Sequence, residues 1–188
     1  HHVYLVVDDA CLRLDAESGE TVQTYPLPPN AEAPAKKGGS PRTWSYLAVS
    51  PRGVLGGEGS QQASDRLFLL DRDGALRWTY TAAATISNNA VCLVGDLVCL
   101  IDATTPQSIS RAKQRGEPLD ATWRLVALNA DTGRPVWETE EGISGRTELW
   151  SSQGVLLATG GNGMTGYEAA TGKLLYDRPV RMARFPVL

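Results

Sequence analysis

The stretch Leu125–Glu138, LVALNADTGRPVWE, decides how the rest of the chain is read. An apolar run ends at an amide, Asn129. Four residues later comes Gly133, and four after that a large flat ring, Trp137. This order describes a β-hairpin. The short polar side chain caps the turn backbone, and the glycine supplies positive φ without steric cost. The phrase recurs as CLRLDAESGETVQTY at Cys11–Tyr25, LFLLDRDGALRWTY at Leu67–Tyr80 and TGYEAATGKLLYD at Thr165–Asp177. The turn glycines Gly19, Gly74, Gly133 and Gly172 are spaced by 55, 59 and 39 residues. An aromatic stands four positions after the glycine in three copies, as Trp78, Trp137 and Tyr176, whereas Gln23 breaks the rule.

A second kind of hairpin lies between these. AVCLVGDLVCLID, Ala90–Asp102, is two apolar strands around Gly95-Asp96, a two-residue turn signal. WSSQGVLLAT repeats it around Gln153-Gly154, and LAVSPRGVL around Pro51-Arg52-Gly53. Two consecutive hairpins make a four-stranded antiparallel unit, and such units stack radially as propeller blades. The fold expected is therefore all-β, a β-propeller segment with an arc of a larger ring favoured over a closed ring of four blades. Its parts are a partial blade over 1–29, a blade over 42–82, a blade over 86–140 with an insertion at 103–122, a blade over 146–180, and the start of another at 184–188.

Composition bounds the function. Apolar residues make up 42%, enough for a core, and the formal net charge is −3, which disfavours nucleic acid or an anionic membrane as the main partner. No apolar run reaches the ~18–20 residues of a membrane span. No secretory signal is read at the N-terminus, as expected of an internal fragment. The two histidines, His1 and His2, are native or a tag remnant and leave almost no imidazole for catalysis or metal binding.

The eleven residues Ala127–Trp137, ALNADTGRPVW, resemble the tryptophan-docking motif of the quinoprotein (PQQ-like) β-propeller repeat family, with Ala127 first, Gly133 seventh and Trp137 eleventh. Gly166–Tyr176 keeps the glycine and an aromatic, Leu67–Trp78 is one residue short in its turn, and Arg13–Gln23 keeps only the glycine. The resemblance implies structural docking by Gly74, Trp78, Ala127, Gly133, Trp137, Gly172 and Tyr176. It extends to the quinoprotein dehydrogenases, to the outer-membrane assembly lipoprotein propeller and to large PQQ-like repeat proteins of environmental bacteria. It implies an extracytoplasmic location, in the periplasm or at the cell surface. The dehydrogenases hold their quinone against two adjacent cysteines beside a calcium site, and no Cys-Cys pair occurs here.

Other motifs are weighed on their own residues. Gly161–Gly166, GNGMTG, spells G-x-G-x-x-G, yet a strand rather than a helix is expected after it, which removes the dinucleotide reading. Cys92 and Cys99 are cross-strand partners if Gly95-Asp96 is the turn, either bridged or as two packed thiols. Trp44, Asn88 and Arg146 fall at matching places in the first hairpins, either as a ligand-facing rim or as solvated loop ends. Thr104–Thr122 is read as an insertion carrying a short helix, N-capped by Ser108 and ending at Gly116, with Arg111, Lys113 and Arg115 on a basic face. Asn30–Pro41 reads as an inter-blade connection and Gly57–Asp65 as a second polar insertion. No catalytic, cofactor-binding or metal residue is assigned.

The function expected is a non-catalytic binding or scaffold propeller module. Its partners are protein, other domains of a larger chain or a second copy. The alternatives are a fragment of a pyrroloquinoline-quinone-dependent dehydrogenase, which would bring PQQ and calcium, and a polysaccharide-binding propeller.

Overall fold

The computed structural model describes residues 1–29, 42–60, 62–161 and 163–180. The expected connection at Asn30–Pro41 and the expected strand at 184–188 lie outside these residues. The described chain is antiparallel β-structure with one helix, and it divides into two compact units, His1–Thr79 and Tyr80–Leu188.

The first unit opens with a three-stranded sheet of β1 (His2–Val7), β2 (Ala10–Asp15) and β3 (Thr21–Pro26), in chain order. It continues with β4 (Thr43–Ser50), β5 (Gly53–Ser60) and β6 (Ala63–Leu70). The long strand β7 (Leu76–Val94) follows β6 in the hydrogen-bonding order and then lies beside β8 (Leu97–Ala103). It therefore serves as the last strand of one four-stranded sheet and the first of the next. The second unit completes that next sheet with β9 (Trp123–Asn129) and β10 (Pro135–Thr139). A further four-stranded sheet follows, of β11 (Glu148–Ser152), β12 (Val155–Gly160), β13 (Gly163–Glu168) and β14 (Leu174–Pro179), again in chain order.

The hairpins close where their turn residues require. Val94 pairs with Leu97 around Gly95-Asp96, and Ser152 with Val155 around Gln153-Gly154. Ser50 pairs with Gly53, so the third turn is Pro51-Arg52 and Gly53 is already strand. A Cβ on Gly53 would collide with the Leu70 carbonyl, and its φ of +140° is one that side chains avoid. The Gly57–Asp65 segment is not an insertion. It is the meeting of β5 with β6, because Glu58 is buried and ion-paired to Arg42 and Arg66 instead of reaching water. Arg66 also donates to the Pro28 carbonyl at 2.7 Å and the Pro29 carbonyl at 3.2 Å.

Helix α1 (Pro106–Arg115) sits in the expected insertion, but its N-cap is Thr105. Pro106 occupies the start of the helix, where a missing N–H costs nothing, and Thr105 Oγ1 accepts the Ser108 N–H at 3.1 Å. Ser108 is thus the capped donor. Gly116 ends the helix at φ +66°.

Apolar clusters within each unit hold these sheets. In the first unit Cys11, Tyr25, Trp44, Val54, Phe68 and Leu70 pack together. In the second, Cys99, Ile101, Leu125, Leu149, Leu156 and Tyr167 form the centre of a larger cluster.

Candidate functional site

The repeated turns are built alike. Asn129 Oδ1 accepts the backbone N–H groups of Asp131 and Thr132 at 3.1 and 3.0 Å, while the Gly133 N–H donates to the Asn129 carbonyl at 2.8 Å. Asp15 does the same for Glu17 and Ser18 at 3.0 and 2.9 Å. Those N–H donors hold its carboxyl below the usual carboxylate range. In the shorter turn Asp71 Oδ1 accepts from Asp73 and Ala75.

These turns are the landing places of the preceding repeat's ring. Trp137 lies over the Glu168–Gly172 turn, where a Cβ on Gly172 would stand 2.5 Å from the indole. The Trp137 Nε1–H donates to the Ala169 carbonyl at 3.1 Å. The spacing of the motif follows. Ala127 is the register partner of Trp137 on β9 and is fully buried, so a small residue is needed there. The glycine must both turn its own chain and leave room for a neighbour's ring.

In the first unit the same seam is made by a residue that the spacing did not single out. Gln23 occupies the tryptophan position, paired with the long side chain of Arg13 instead of an alanine. Two residues on, and so on the same strand face, Tyr25 is fully buried and its hydroxyl donates to the Arg72 carbonyl at 2.9 Å. Arg72 and Ala169 each follow the capping residue of their turn, so Tyr25 makes the bond that Trp137 makes. Gln23 adds a longer contact, Nε2 to the Asp73 carbonyl at 3.4 Å. Burial raises the Tyr25 phenol above its ordinary range. Trp78 is buried in the first unit. Tyr176 is 37% exposed and lies over Gly166, its register partner on β13, which has no side chain to obstruct the ring.

The three residues considered for a ligand-facing rim are placed differently from one another. Trp44 is 5% exposed and packs edge-on against Phe68, with ring centroids 4.9 Å apart. It is a core residue, seated there because Gly56 on β5 has no Cβ to displace it. Asn88 lies where β7 leaves register with β8, between Ile86 and Val91. Arg146 is spent within its own sheet. It donates to Thr165 Oγ1 at 3.0 Å, the Gly160 carbonyl at 3.1 Å and Asp177 Oδ1 at 2.9 Å. Trp44 belongs to the first unit, and Asn88 and Arg146 to the second.

A second polar knot also escaped sequence reading. Asp102 on β8 is 1% exposed and accepts the Ala83 and Ala84 N–H groups at 2.8 Å each and the Arg124 guanidinium at 2.9 Å. The Tyr80 hydroxyl is 3.4 Å away, and burial with the Asp102 charge pushes that phenol up to about 12. These contacts pin β7 just before its register break. Both knots hold strands together and leave their carboxylates committed.

Strand β1 carries a run of exposed apolar side chains. Val3, Leu5 and Val7 are 52%, 50% and 44% exposed, while the alternate residues Tyr4 and Val6 pack on the core. Leu14 and Leu12 pair with Val3 and Leu5 and therefore share their face. Among the described residues β1 is hydrogen-bonded to β2 alone, beside this apolar face.

Cys11 is a core residue, Cys92 and Cys99 face each other across two strands, and all three are free thiols. Among the described residues no group of three or more His, Cys, Asp or Glu is placed to hold a metal ion. Gly163–Glu168 in the glycine-rich run is strand β13, paired on both sides, and the element after it is strand β14.

Antiparallel four-stranded sheets, joined by turns that receive a ring from the repeat before, define a β-propeller segment. Residues 8–185 match the family model described as outer membrane protein assembly factor BamB, and the chain belongs to that PQQ-like family. Among solved structures it is similar to BamB from Moraxella catarrhalis, at 16% identity and a TM-score of 0.57, over 97% of this chain and 50% of that one. It is also similar to a quinohemoprotein alcohol dehydrogenase from Pseudomonas putida HK5, at 16% identity and a TM-score of 0.63, over 95% of this chain and 33% of that one. The corresponding enzyme from Comamonas testosteroni gives 16% identity and a TM-score of 0.59, over 92% and 35%. The chain thus spans half or less of the length of these structures, and the likeness is one of fold. No curated protein sequence matches it. Among the described residues no helix is long and apolar enough to cross a membrane.

Proposed function

We propose that the chain is a non-catalytic binding and scaffold module of an extracytoplasmic protein, in the periplasm or at the cell surface, and that its partner is protein. The observation that carries this reading is the β1 surface. A strand with apolar residues on both faces, paired on one edge among the described residues, is suited to be covered by another sheet, with side chains interlocking over Val3, Leu5 and Leu12. The buried carboxylates of Glu58 and Asp102, by contrast, are engaged by arginines. Membership of the BamB family supports placement in the cell envelope, and that family includes assembly factors.

The second copy of the chain is the covering sheet that tests the idea. Sedimentation velocity across a concentration series is expected to show reversible self-association, abolished by Leu5→Lys with the melting temperature kept. A chain that remains monomeric throughout, with Leu5→Lys changing nothing, would remove the basis of the reading.

A further inference from the structure

We propose that Cys92 and Cys99 form an oxidisable dithiol, a modification site that takes a small-molecule disulfide as its oxidant and closes into a cross-strand bridge between β7 and β8. The two residues are direct register partners across the Gly95-Asp96 turn. Directly opposed residues on antiparallel strands have Cα atoms ~4.5 or ~5.5 Å apart, depending on the pair type. Both spacings lie within the range a disulfide spans, so bridging needs no movement of the backbone. As directly opposed residues, the two project their side chains from the same face of the sheet. Both are reduced in the structure.

Access orders the reaction. Cys92 is half-buried, whereas Cys99 is fully buried among Ala90, Ile101 and Ala127. The neighbouring Cys92 thiol, together with burial, raises the Cys99 thiol well above its ordinary range. Cys92 is therefore the entry point. Its thiolate attacks one sulfur of glutathione disulfide, forming a mixed disulfide and expelling one glutathione thiolate. Cys99 then loses its proton to solvent and attacks the Cys92 sulfur, expelling the second glutathione. The two cysteines lose two electrons and two protons in all, and one glutathione disulfide becomes two glutathiones. Cys11 lies in the other unit, with its thiol pushed by burial to about 11, and has no cysteine partner among the described residues.

The test uses the folded chain with glutathione disulfide, followed by alkylation and cleavage before Asp96, which separates the two cysteines. The expected product is one pair of peptides joined through Cys92 and Cys99, with Cys11 unreacted. In Cys99→Ser the same treatment is expected to leave a stable glutathione adduct on Cys92, and in Cys92→Ser neither bridge nor adduct. A wild-type chain in which the adduct on Cys92 accumulates without resolving would overturn the proposal. So would one in which both thiols stay free while the unfolded chain oxidises.

Discussion

Trp137 lies flat on Gly172, the turn glycine of the following repeat, and its indole N–H reaches the Ala169 carbonyl 3.1 Å away in the same turn. This pairing explains why the motif spends a glycine where many residues could turn the chain. Gly172 has φ +73° and no space for a Cβ. Gly172→Ala is expected to cost ~1–3 kcal/mol, from strain and from displacement of the ring. Trp137→Ala removes a half-buried ring and its hydrogen bond, for a loss of about 2 kcal/mol. Because the two residues touch, the double variant is expected to lose less than the sum. Urea unfolding of the four proteins measures this, and strict additivity would contradict the seam.

Tyr25 performs in the first unit what Trp137 performs in the second. Tyr25→Phe keeps the ring and deletes the hydroxyl that donates to Arg72. A loss of about 1 kcal/mol is expected, with little change in the surface exposed on unfolding. Gln23→Ala, which removes only a 3.4 Å contact, is expected to change stability by less. The reverse order in denaturant midpoints would show that the tryptophan position still makes the seam.

Asp102 gathers two backbone N–H groups and an arginine in a site 1% exposed. Removing it in Asp102→Ala leaves Arg124 without its buried partner and Ala83 and Ala84 without an acceptor. The expected cost is ~3–5 kcal/mol, read by chemical denaturation. A change below about 1 kcal/mol would mean that water replaces the carboxylate freely.

Stability is expected to fall in alkali. Tyr80 and Tyr167 both have phenols pushed up to about 12, chiefly by burial, against an ordinary value of 10.0. Between these values the unfolded chain has released protons that the folded chain retains, so raising the pH favours unfolding. The contribution is fully present below pH 10 and is lost as pH rises toward 12. Tyr167→Phe should flatten part of that decline, as followed by melting temperature against pH.

The proposed role predicts no quinone chemistry. Mixing the chain with PQQ and calcium is expected to leave the quinone absorbance unchanged and to give no dye reduction, and retention on polysaccharide is expected to be absent. A saturable shift of the quinone spectrum would favour the dehydrogenase reading, and retention would favour the polysaccharide reading.

The hairpins were legible because their signals are local. Gly95-Asp96 and Asn129…Gly133 set a turn within a few residues, whatever lies around them. What depends on another sheet was not legible. Gln23 looked like a gap in the motif because nothing near it shows that Tyr25, one pleat further on, faces the same turn. Trp44 and Arg146 looked equivalent by alignment. Yet Trp44 is drawn into the core over a glycine and Arg146 is consumed by Thr165 and Asp177, both more than a strand away. The Asp102 knot joins residues from Tyr80 to Arg124, which no spacing rule connects.

Amide hydrogen exchange along β1, followed as the chain is concentrated, tests the binding surface most directly. The account predicts that the amides of His2–Val7 become markedly slower to exchange at high concentration, and that Leu5→Lys keeps them fast. Exchange on β1 that is the same at every concentration, in both proteins, would contradict it.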